Sequence, residues 1–183
     1  MRVRTPAWMI AACGLAAAIH AQETPYAGLA EREIKALSPE KIAAYRAGEG
    51  MGLAMAAELN SHPGPKHVLE LADELALDAG QRRKTEQIYR TMHRSAVRLG
   101  IRIVERERAL DARFASGELE DDFLRGSLLQ IGELKAQLRY QHLRAHLLMR
   151  QVLSAEQVKT YDRLRGYGSG EEPAQHGHGD HHE

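Results

Sequence analysis

The chain has 183 residues, with 25 Lys and Arg against 25 Asp and Glu, one cysteine, one tryptophan and two phenylalanines. Such a balance argues against the basic patch of a nucleic-acid-binding protein, and the scarcity of bulky aromatic residues suits a helical bundle of Leu, Ile and Ala better than a β-sandwich. The length fits one domain, or a small domain with tails.

The first residues, MRVRTPAWMIAACGLAAAIHAQ, carry two arginines, an apolar run from Pro6 to Ile19 and a small residue at Ala21. This is the layout of a secretory signal peptide spanning 1–21. The run is shorter than the roughly 20 residues a spanning helix needs, so no membrane insertion is expected after cleavage. An uncleaved anchor and lipidation at Cys13 (IAAC followed by Gly) are the alternatives. Cleavage takes away Arg2 and Arg4 from the 25 basic residues, leaving 23 against 25 acidic. It also removes the only cysteine, and with it any disulfide or thiolate metal site.

Residues 22–66 read as an N-terminal segment of helix and loop. Ser38 is a natural N-cap with Pro39 at the first helical position, and Gly48, Gly50 and Gly52 weaken or end the helix that follows. NSHPGPK, 60–66, is a loop, because its prolines and glycine deny helix. A short helix is expected over HVLELADELAL, ending near Asp78.

Residues 67–167 form the predicted helical hairpin domain. Asp78 can cap a helix running to about Ser116, with Ile88, Met92, Ala96, Leu99, Ile103, Leu110 and Phe114 on one stripe. After a turn near 116–119, a second long helix repeats the pattern with Leu124, Leu128, Ile131, Leu138, Ala145 and Met149. A last helix starts at Ser154. No sheet signal occurs, so the fold class is all-α: a long antiparallel hairpin with shorter flanking helices. Its unfilled apolar face points to a homodimer of hairpins. The remainder, 168–183, reads as a disordered His-rich tail.

Chemistry-bearing residues gather in YQHLRAHLLMRQVLSAEQ. At about 100° per residue, His142 falls inside the apolar seam with Leu138 and Met149, and His146 lies about 40° to its edge. Imidazoles four apart stack on one helix face and can share an ion. A core histidine with an exposed neighbour is the competing reading. Facing positions of the hairpin sum to about 235, which sets His142 across from Met92 and His93. Met92, His93 and Met149 are therefore candidates to complete a ligand shell, although core packing also explains both methionines. Glu86 faces Met149 in the same register, where a solvated helix charge is the simpler reading.

His62 reads as loop surface, and His67 reaches a site only if its short helix folds onto the hairpin. Met51 and Met55 read as packing residues. In the tail, His176, His178, His181 and His182 can wrap a divalent ion without a fixed scaffold. Imidazole and thioether together suit a transition metal such as Zn, Cu, Ni or Co better than Mg or Ca. Unperturbed imidazoles would release that metal below about pH 6. Nothing resembles a nucleophile elbow, a phosphate-binding loop or a zinc-protease helix, so no enzyme is expected.

LSAEQ, Leu153–Gln157, resembles the Leu-Thr-Pro-Glu-Gln element of the LTXXQ-motif family, with Ser for Thr and Ala for Pro; LDAGQ, Leu77–Gln81, is a looser copy. That family contains Spy- and CpxP-like periplasmic chaperones and related heavy-metal sensor and resistance proteins. The resemblance implies a periplasmic protein of the metal-sensing or metal-buffering kind, linked to metal resistance or envelope stress. It also implies a paired ligand on the helix entering the second motif, the position held here by His142 and His146. Relatives draw a further i, i+4 pair from the first helix, whereas His62 and His67 stand five apart across prolines. The alternative it implies is an ATP-independent holdase chaperone that takes unfolded client proteins. A third possibility is a partner that docks on a membrane sensor protein.

Overall fold

The computed structural model describes residues 25–167. The expected signal peptide, Cys13 and the His-rich tail lie outside them. Among the described residues regular structure is helical, apart from one isolated bridge between Ile34 and Leu37. A 3-10 turn at Leu29–Glu31 precedes α1 (Pro39–Ala47), α2 (Met55–Glu58), α3 (Pro65–Glu70), α4 (Ala79–Ser116), α5 (Asp121–Val152) and α6 (Ala155–Leu164). No helix among them is long and apolar enough to cross a membrane.

α4 and α5, of 38 and 32 residues, are the expected hairpin. With a helical rise of about 1.5 Å per residue they run about 57 Å and about 48 Å. Gly117 closes α4 at φ 72°, in a left-handed cap. Glycine adopts that conformation without Cβ strain. Asp121 and Asp122 then open α5, placing negative charge at the positive end of its dipole. Met92, Ala96, Leu99 and Ile103 of α4 share a buried cluster with Leu134, Leu138 and Ala145 of α5.

The N-terminal segment lies along this hairpin. Lys35 and Glu33 pair with Asp111 and Arg108 at 3.1 and 2.5 Å, and Ile34, Leu37, Ile42 and Tyr45 enter the same cluster. Ser38 caps α1 by accepting the Lys41 N–H, and Gly48 ends the helix at φ 66°. The end of α1 presses on α4 so closely that a Cβ on Gly100 would stand 1.9 Å from the Tyr45 carbonyl oxygen. Only glycine fits there.

At the hairpin's base the two Leu-x-Ala-x-Gln turns meet. Asp78 and Ser154 each form a capping box with the glutamine three residues on. Gln81 and Gln157 then join face to face. Gln81 Nε2 donates to Gln157 Oε1 at 2.8 Å and to the Val152 carbonyl at 2.9 Å; Gln157 Nε2 donates to Gln81 Oε1 at 2.9 Å and to the Leu75 carbonyl at 3.1 Å. Each amide thus caps its own helix and ties down the other turn. Beneath them Val68, Leu75, Met149, Leu153, Val158 and Tyr161 form a second buried cluster.

Two expectations change. The helix expected through 67–77 stops at Glu70 and continues as turns, with Ala76 at φ 48°. The chain reverses there to enter α4, and Ala72 and Leu75 anchor the turn in the core instead of forming a helix face. Phe114 and Leu128 belong to the seam by period yet are 59% and 53% exposed. The ion pairs that fasten the N-terminal segment reach no farther along α4 than Asp111, so the hairpin tip lacks that cover among the described residues.

Candidate metal centre

A cavity of about 600 Å³ opens where α1, α2 and α3 meet the hairpin. The side of α5 facing it carries His142 and His146, one turn apart and only 5% and 7% exposed. α4 contributes Met92 and His93. His142 thus shares a cavity with Met92 and His93, the residues the hairpin register sets opposite it.

The hydrogen bonds fix how each imidazole presents itself. His146 Nδ1 lies 2.6 Å from the His62 carbonyl oxygen, which can only accept, so Nδ1 carries a proton and Nε2 is the nitrogen left to ligate. His93 uses the opposite nitrogen: Nε2 donates to the Ala47 carbonyl at 3.0 Å, which leaves Nδ1 as the acceptor. Its ring stacks on Tyr89 with centroids 5.5 Å apart. Backbone carbonyls holding the remote N–H in this way are the usual outer support of metal-binding histidines.

His142 Nε2 is buried and has no hydrogen-bond partner. Burial, helped by the neighbouring His146 and His93, lowers its pKa to about 4. At neutral pH the ring is uncharged, the form in which imidazole ligates.

The wall behind His146 is built from parts that no sequence motif announces. Gly64 sits so near the ring that a Cβ there would approach His146 Cε1 to 2.8 Å and Nε2 to 3.1 Å. Glu58 Oε2 stands 3.5 Å from His146 Nδ1, while its Oε1 accepts the Tyr161 hydroxyl hydrogen and lies 3.7 Å from Arg165 Nε. Burial first, and the Glu58 carboxylate second, hold the Tyr161 hydroxyl well above its ordinary pKa, so it stays a donor. Glu58 and Tyr161 stand 103 residues apart in the chain, and no local pattern links them.

Other candidates lie elsewhere. Met149 is fully buried in the second cluster and fills the hairpin base. Glu86 pairs with Arg90 at 3.3 Å on the surface of α4. The His62 side chain turns back to the Asn60 carbonyl at 2.6 Å, and only its own carbonyl serves the site. His67 does reach the cavity lining, because α3 folds onto the hairpin, with Nδ1 2.7 Å from Glu70. Met51 and Met55, expected to pack, are instead 38% and 59% exposed on the cavity lining. Glycines at 48, 50 and 52 keep this stretch a loop on the rim. The tail residues His176, His178, His181 and His182 lie outside the described residues. Among the described residues no three His, Cys, Asp or Glu side chains form a metal-binding group by themselves.

No protein-family model matches the chain, and no curated protein and no solved structure is significantly similar to it.

Proposed function

We propose that the protein binds a transition-metal ion between α4 and α5, as a periplasmic buffer or sensor of the kind the LTXXQ-like turns suggest. The observation that carries this reading is the pair His142 and His146: two buried imidazoles, one turn apart, of which His142 keeps a buried Nε2 with no hydrogen-bond partner while His146 is held through Nδ1 by the His62 carbonyl. A helix has met its ordering cost during folding, so preplaced imidazoles bind more tightly than the same groups on a flexible segment. His93 and Met92 of α4 line the same cavity as donors of matching softness, and Zn, Cu, Ni and Co are the ions such donors favour.

Equilibrium dialysis with those four ions tests the reading. In a full chain whose tail histidines are replaced by Gln, one ion per chain should bind, and His142→Ala/His146→Ala should abolish that binding. Unchanged affinity in the double variant refutes the site.

A specific feature favours a second reading, an ATP-independent holdase. Leu129, Tyr140 and Leu147 expose 57 to 68% of their surface along one side of α5, an apolar strip on which an unfolded client could lie. Suppression of client aggregation by metal-free protein at several-fold molar excess is the corresponding assay, and its absence removes this reading.

A further inference from the structure

The rim of the cavity bears on which ion the site takes. Three methionines line it: Met92 from α4, Met51 from the glycine-rich stretch between α1 and α2, and Met55 from the first position of α2. Met92 is buried, whereas the other two stand 38% and 59% exposed, an arrangement that leaves apolar thioether chains in water. Met51 also holds φ 43° between two glycines, a backbone that a side chain bearing Cβ seldom adopts. Neither feature serves packing.

We propose that Met51 and Met55 are metal ligands which, with His142 and His146, make this a site for monovalent copper. The proposal rests on the metal-binding reading above and names its ion. The donors available are neutral imidazole nitrogens, including the unpartnered Nε2 of His142, and thioether sulfurs. Soft thioethers select Cu(I) among the first-row ions. The cost of moving an ion out of water scales with the square of its charge, so a ligand set of uncharged donors accepts a monovalent ion more readily than a divalent one. Of the two carboxylates on the lining, Glu58 offers little compensation to a divalent ion because Tyr161 and Arg165 already engage it, and Glu49 is exposed to water. Filled d-orbitals impose no geometry on Cu(I). A pair of preplaced imidazoles closed by one or two sulfurs from a pliant rim therefore suffices.

The test uses the full chain with its four tail histidines replaced by Gln. Cu(I) is supplied anaerobically in competition with bicinchoninate, and Co(II) is followed by its absorption spectrum. The parent should bind one Cu(I), and Met51→Leu/Met55→Leu should weaken Cu(I) by about tenfold or more while leaving Co(II) affinity within about threefold. Both side chains are exposed, so an unchanged melting curve will show that the fold is intact. Equal Cu(I) affinity in the parent and the variant, or an equal loss for both ions, overturns the copper assignment and leaves the histidine site standing. A parent that binds neither Cu(I) nor Co(II) overturns the underlying metal reading as well.

Discussion

His142 shows how burial changes the chemistry of a residue whose position the helical period already gives. With an ordinary pKa of 6.5 in the unfolded chain and about 4 in the fold, it takes up a proton on unfolding anywhere between those values. Its contribution to stability is therefore complete above about pH 6.5 and is lost as pH falls toward 4, amounting to about 3 kcal/mol in metal-free protein. Urea midpoints measured at pH 7 and pH 4.5 should separate accordingly, and His142→Leu should flatten the difference. A pH dependence untouched by that substitution would assign the effect to other groups. The same shift keeps the ring competent to ligate well below the pH at which an ordinary imidazole becomes charged.

At the scale of elements, the two turns that open α4 and α6 act as one clasp. Replacing Gln157 by Ala strips the N-cap support from Ser154 and leaves the Leu75 carbonyl and one face of the Gln81 amide unpaired. The loss should be on the order of 1 kcal/mol. Gln81→Ala should cost a similar amount through Asp78 and the Val152 carbonyl. Because the glutamines bond to each other, the double variant should lose less than the sum of the singles, with a coupling of about 1 kcal/mol. Thermal melts of the four proteins close that cycle, and strict additivity would mean that the amide pair adds nothing beyond capping.

For the whole molecule, the outer face of α5 carries Leu129, Tyr140 and Leu147, 68%, 58% and 57% exposed and outside both buried clusters. Their positions follow a heptad, the spacing that packs one helix along another. Two hairpins paired face to face across a twofold axis would bury this strip in both copies. Light scattering at micromolar concentration should give twice the monomer mass, and Leu129→Glu/Leu147→Glu should return it to one. A monomeric parent chain overturns the dimer and leaves the strip free for clients.

The helical hairpin was legible because its signals are local. Ser38, Asp78 and Ser154 announce helix starts through side chains that reach only three residues on, and Gly48 and Gly117 end helices through their own backbone freedom. An apolar period of about 3.6, read against one tight turn, also sets His142 opposite Met92 and His93 without coordinates. What the period cannot supply is depth: Met92 and Met149 share one sequence signature, yet one lines the cavity and the other is sealed in the base. Nor could any pattern foresee that Glu58, Gly64 and Tyr161 enclose His146, or that the His62 carbonyl selects its tautomer. Those contacts exist only because the N-terminal segment folds back onto the hairpin. Its course is decided by long-range packing such as Tyr45 against Gly100, and no spacing along the chain encodes a contact between residues that distant.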